Sequence, residues 1–220
     1  MIDGPEMLAW LRSRRSVRTF TPQPIAKESL LRIIEAATTA PSSTNRQPWR
    51  FAVVTAQSVR TRIVEAVATK AAEMKAIIAR GHHAEDFGNY GDFFHEPLAT
   101  AAAIIVPQYR EYPDLIANLI DSGGGDSRDY STASAMQAEL CSTSAAIMAL
   151  LLQVHAEGLG GCMMAGPMIA RAEIHALLKI AEPWRMVGAI AIGHSADAPL
   201  PRSRKALDRV VEWIDDERTR

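Results

Sequence analysis

Apolar positions recur along the chain at two spacings. Met7, Leu8 and Leu11 share one face of a short opening helix, which runs into the basic cluster Arg12, Arg14, Arg15 and Arg18. Leu30, Ile33, Ile34 and Ala37 recur at helical spacing until Pro41 ends that helix. Residues 58–80 are rich in Ala, Ile, Val, Lys and Arg without Pro or Gly, and predict a long helix. Residues 134–157 predict another, apolar nearly all round over 145–152 and therefore central, with Gly158 as its cap. Residues 172–180 predict a further helix. Between these stand short runs of strand character at 51–54, 101–106, 159–164 and 186–192. Residues 210–214, VVEWI, share that character but have no evident partner within the chain.

The connecting segments differ in kind. Residues 41–48 form a polar loop bounded by Pro41 and Pro48. Residues 81–97 read as irregular cover, and residues 107–130, with Pro107, Pro113 and Gly123-Gly124-Gly125, as a variable excursion. Short strands alternating with helices, without internal repeats, predict a layered α/β or α+β domain. The 220 residues suit a single domain able to bury a core without disulfides.

Composition changes this picture little but narrows the function. The chain is 48% hydrophobic and 22% charged, ordinary for a globular protein. Twenty-four Lys and Arg against 25 Asp and Glu give a net charge of −1, which argues against a nucleic-acid partner. The two cysteines, Cys141 and Cys162, argue against a disulfide scaffold and a cysteine-rich metal site. The opening residues do not read as a secretion signal, and no apolar run approaches membrane-spanning length, so the expectation is a cytoplasmic protein without a membrane partner.

Several chemical signatures are missing. There is no GxxxxGK[ST] loop and no GxSxG elbow. Gly158-Leu159-Gly160-Gly161 follows a helix rather than a strand, so it does not read as a dinucleotide fingerprint. His83-Ala84-Glu85 and His155-Ala156-Glu157 lack the PCxxC half of a zinc deaminase signature, and no HExxH occurs.

Four motifs remain. Arg14-Arg15-Ser16-Val17-Arg18 either ends a helix, where cations are favoured, or offers guanidinium forks and a hydroxyl to an anion. Pro41-Ser42-Ser43-Thr44-Asn45-Arg46-Gln47-Pro48-Trp49 is a rigid loop that can present amides and hydroxyls to a flat heterocycle. In Gly158-Leu159-Gly160-Gly161-Cys162-Met163-Met164-Ala165-Gly166 small residues allow close backbone approach. Arg202-Ser203-Arg204-Lys205 is a second basic cluster. Cys162 reads as a small buried apolar residue.

In this order and spacing the four motifs resemble the nitroreductase family of FMN-dependent oxidoreductases. The resemblance implies an α+β fold: a three-layer α/β/α sandwich around a mostly antiparallel sheet. It implies one FMN-binding domain over residues 1–220, and a homodimer in which the extension 199–220 packs on the partner and exchanges a strand. Arg14, Arg15 and Ser16 then hold the FMN phosphate, joined by Arg202 and Arg204, while Arg18 stands near the N1 and O2 edge of the flavin. Pro41, Ser42, Ser43 and Asn45 come from the other subunit, and the backbone of Met163, Met164, Ala165 and Gly166 approaches N5 and O4. Relatives carry a Lys where this chain has Phe94-His95-Glu96-Pro97, and some carry an acid at the position of Ala165.

The activity implied is ping-pong hydride transfer from NAD(P)H through FMN to a nitroaromatic, quinone or related small acceptor, with no catalytic side chain and no metal. A specialised branch of the same fold (dehalogenase, enone reductase or heterocycle dehydrogenase) and a low-turnover flavin-binding protein are the alternatives.

Overall fold

The computed structural model describes residues 3–82, 91–132, 136–198 and 202–214. Its centre is an antiparallel sheet of β1 (Trp49–Val54), β2 (Ala103–Tyr109), β3 (Gly160–Met164), β4 (Arg185–Met186) and β5 (Ala189–Gly193). The order is β1-β2-β5-β3, with β4 also paired to β2, so β1 and β3 are edges.

Alternation along the strands builds two cores. Ile104, Val106, Ala189 and Ala191 face α3 (Gln57–Ile78) and α7 (Arg171–Leu178), packing with Ile63, Val67 and Ile174. Ala103, Ile105, Ile190 and Ile192 face the opposite way, against Leu30 and Ile33 of α2 (Lys27–Thr38) and Leu150 and Val154 of α6 (Ala138–Ala156). A sheet covered on both faces demands strands apolar on both, which is why 101–106 and 186–192 are continuous apolar runs. The three-layer α+β architecture expected from the resemblance is therefore present.

Several elements differ from the sequence pattern. β2 continues through Pro107, which pairs with Phe51 on the edge strand, and the Pro107 carbonyl still accepts from the Val187 N–H. The run 186–192 is broken into β4 and β5 at Gly188, where a Cβ would stand 2.5 Å from the Met164 carbonyl oxygen. The excursion contains α5 (Leu115–Ser122), capped by the Asp114 carboxylate accepting from the Ala117 N–H at 3.1 Å. α4 (Glu96–Thr100) closes the segment read as irregular cover. Residues 210–214 form no strand within the chain; they follow a 3-10 turn at Leu207–Arg209 and lie exposed.

Apolar residues are left open on both α1 and α6. α1 (Gly4–Ser13) buries none of its residues, leaving Met7, Leu8 and Leu11 at the surface. By length and apolarity α6 meets the requirement for a membrane span, but Thr143, Ala146 and Leu150 lie in the core. Its opposite stripe, Cys141, Ser144 and Met148, is exposed.

Candidate functional site

The site grows from the exposed edge of β3. After α1 the chain extends and Ser16 forms a parallel bridge with Gly161, while the Val17 N–H donates to the Gly161 carbonyl at 3.2 Å. Phe20 makes a second bridge, antiparallel, with Ser195 beyond β5. Val17 and Phe20 are buried, which fixes the segment between them and commits Arg14, Ser16 and Arg18 to the edge. Glycines make this possible. A Cβ on Gly160 would lie 2.7 Å from Val17, and one on Gly193 would lie 2.9 Å from the Phe20 ring.

The segment lines a cavity of about 510 Å3 with Arg14, Arg15, Ser16, Arg18, Thr19, Ser195, Arg202 and Arg204. Asp197 is the one acid in that lining. Two clusters almost 190 residues apart in the chain thus meet in one lining. Arg14, Arg18, Arg202 and Arg204 have no carboxylate partner among the described residues. Arg15 is different: its guanidinium turns back onto the Arg12 carbonyl and, at 2.8 Å, the Arg14 carbonyl, capping the end of α1. Converging guanidinium groups with three hydroxyls make a donor set suited to a dianionic phosphate.

A second cavity, about 430 Å3, adjoins it at Arg18. Its walls are Phe93, Phe94, Cys162, Met163, Met164, Ala165, Gly166 and Ile169. Phe93 and Phe94 meet edge to face at 4.8 Å. Gly166 is required by Phe94, since a Cβ there would sit 2.3 Å from the ring. The two cavities together offer a polar, cationic end and a largely apolar slot, joined by Arg18.

Neighbouring titratable groups stay neutral. Burial pushes the Cys162 thiol up, against the opposing pull of Arg18 and Arg14, so it carries no thiolate character at neutral pH. Burial and then the Arg14 charge push His155 below its ordinary range. His155 Nε2 lies 2.7 Å from Ser13 Oγ, which donates to the Trp10 carbonyl, and so ties α6 to the end of α1.

The polar loop is placed elsewhere. Ser43–Asn45 forms a 3-10 turn, anchored by the Ser43 N–H donating to Ser142 Oγ at 3.2 Å and by Arg46 pairing with Glu139 at 3.0 Å. Thr44, Asn45 and Gln47 have positive φ, the strained conformation of a rigid display loop. None of Pro41, Ser42, Ser43 or Asn45 lines either cavity of its own chain. Thr19, Phe93, Ile169, Ser195 and Asp197 escaped the sequence reading, and Phe94 entered it only as part of the segment where relatives carry a Lys.

The fold is that of a layered α+β domain with two adjoining cavities. The chain matches the nitroreductase family over residues 11–194 and belongs to it. It is 28% identical over 216 residues to an NADH dehydrogenase of Thermus thermophilus, covering 91% of this chain and 92% of that one. A Bacillus subtilis relative bearing an NAD(P)H nitroreductase name is 47% identical over 55 residues, 24% of this chain and 26% of its own. An iodotyrosine deiodinase of Haliscomenobacter hydrossis is 28% identical over 111 residues, half of each chain. Among solved structures, a BluB-like flavoprotein from Clostridium difficile superposes with a TM-score of 0.82 at 21% identity, over 96% of this chain and 99% of that one.

Proposed function

We propose that the protein is a homodimeric, FMN-dependent oxidoreductase that carries hydride from NAD(P)H to a small aromatic or quinone acceptor. The observation that carries this reading is Arg18, which lines both the anion cavity and the adjoining slot. The donor set fits FMN: a terminal monophosphate suits the guanidinium cavity, and a three-ring system suits a slot walled by Phe94, Met163 and Ile169. When bound, FMN supplies a two-electron acceptor and donor. Arg14, Ser16, Arg202 and Arg204 bind and neutralise its phosphate, with Arg15 supporting the segment through α1. Arg18 holds positive charge at the edge where reduction places negative charge, favouring the reduced form. The backbone of Met164, Ala165 and Gly166, at the end of β3, orients the ring, and Phe93 and Phe94 shield the slot from water.

The open faces support the dimer. Met7, Leu8 and Leu11 of α1, the Met148 stripe of α6 and the tail residues Val210, Val211, Trp213 and Ile214 are exposed in one chain. A second copy covers them and brings Pro41, Ser42, Ser43 and Asn45 to its partner's flavin. The tail has an edge to join, because β1 ends the sheet with Val53 and Leu31 exposed beside it. The local similarity to iodotyrosine deiodinase favours reductive dehalogenation as the second acceptor chemistry.

The test is purification without added flavin, cofactor identification after denaturation, and stopped-flow reduction by NADH and NADPH. Bound FMN reduced by either nucleotide and reoxidised by a nitroaromatic or quinone is the expected result. A colourless protein that binds no added FMN overturns the reading.

A further inference from the structure

A band of cations and rings is rooted in the same loop that displays Ser42 to Asn45. Arg46 follows the 3-10 turn directly. Arg110 follows β2, and its N–H donates to the Pro48 carbonyl at 3.1 Å. The Arg110 guanidinium lies 4.4 Å from the centre of the Tyr112 ring and 5.7 Å from that of Trp184, and donates to the Tyr112 hydroxyl at 2.7 Å. Arg46 lies 5.4 Å from the Tyr112 ring, and Arg50 of β1 lies 5.8 Å from Trp184.

These arginines are not equivalent. Arg46 pairs with Glu139, a carboxylate only 6% exposed, and that pair is enough to anchor the loop. Arg50 and Arg110 have no carboxylate partner among the described residues, yet both reach Trp184. Two like charges sharing one ring repel. An anion relieves that repulsion, and a guanidinium plane stacks on an aromatic ring while its fork meets a carboxylate.

We infer that this Arg-Tyr-Trp band selects the acceptor: the protein prefers aromatic acceptors that carry a carboxylate on the ring. The inference rests on the reading above, in which the Pro41–Asn45 loop reaches the partner's cofactor. Arg110 and Arg50 receive the carboxylate, Tyr112 and Trp184 hold the guanidinium groups in plane, and Arg46 ties the band to the loop. The nitroaromatic ring extends from there toward the slot of the partner.

The test compares 4-nitrobenzoate with the neutral 4-nitrobenzamide on the flavin-loaded dimer. The ratio of kcat/KM for the two favours the anion in the wild type. It falls about 10-fold in R110Q and in R50Q, the scale of one charge-assisted hydrogen bond, while R110K retains part of it. Calorimetric binding of 4-nitrobenzoate to the oxidised protein, without NAD(P)H, weakens in parallel. R50Q keeps the test alive if R110Q fails to fold. A ratio unchanged in both glutamine variants, or an effect confined to the KM for NAD(P)H, overturns the inference and leaves the oxidoreductase reading standing. A wild-type protein whose FMN is reduced by NAD(P)H but that turns over neither nitro acceptor overturns the inference alone, and one that binds no FMN overturns both.

Discussion

Val17 lies directly over Gly160: a Cβ built on that glycine would stand 2.7 Å from the Val17 Cβ. The contact holds the arginine segment against β3, where the Val17 N–H meets the Gly161 carbonyl. Gly160→Ala must therefore push the segment outward or displace the strand. Overpacking of this kind costs about 1–3 kcal/mol. The expected outcome is a lower melting temperature together with weaker flavin affinity, read by thermal denaturation and flavin titration. A variant with wild-type melting and wild-type affinity would show that the segment does not depend on this contact.

Arg14 and Arg18 differ in position and should differ in effect. Arg14 lines the anion cavity, whereas Arg18 also lines the slot. Arg14→Ala is expected to weaken FMN binding by about 1.5–3 kcal/mol, the range for a hydrogen bond to a charged group. Arg18→Ala is expected to lower the flavin midpoint potential and slow reduction by NAD(P)H. Spectroelectrochemistry and flavin titration of both variants check this, and identical changes in both would dismiss the division of roles.

Truncation after Ala206 removes Leu207, Val210, Val211, Trp213 and Ile214, all exposed in the single chain. The shared-site reading expects dimer and flavin to be lost together. Size-exclusion chromatography with absorbance at flavin wavelengths measures both at once. A truncated monomer that stays stoichiometrically yellow would contradict it.

Glu157, just past α6, accepts from Arg32 of α2 at 2.8 and 2.7 Å, and the Arg32 hydrogen bond lowers its pKa to about 2. A carboxyl depressed in the fold from 4.5 contributes stability above that value, and loses it as pH falls toward 2. Glu157→Gln is accordingly expected to melt lower than wild type at pH 7, with the gap narrowing below about pH 4.5. Melting curves from pH 7 to pH 3 test the sign, and a gap that widens on acidification would reverse the argument.

Some of the site was legible because its signals are local. Helical spacing exposes α2, α3 and α6, whose buried faces repeat every three or four residues. The continuous apolar runs of β2 and β5 announce strands covered on both sides. Arg14, Arg18, Arg202 and Arg204 stood out as clustered cations, with Ser16 as a hydroxyl among them. α5 was hidden because its apolar residues, Leu115, Ile116 and Leu119, face outward between a proline and a glycine triplet, so no core imposed a recognisable context. Residues 210–214 have strand composition, but composition supplies no pairing edge.

By itself, then, the sequence determined which segments form most helices and strands, where the chain turns, and which side chains are candidates for an anion site. These follow from periodicity and residue type within a few positions of each other. Only the tertiary structure decided that Arg202 and Arg204 meet Arg14, that Arg18 stands at the junction of two cavities, and that Phe94 closes on Gly166. It also decided that Gly188 lies close against the Met164 carbonyl, and that Arg46, Arg50 and Arg110 gather around Tyr112 and Trp184. Each of these joins residues brought together by sheet pairing across long stretches of chain, and local periodicity carries no record of which strand edge another segment will meet.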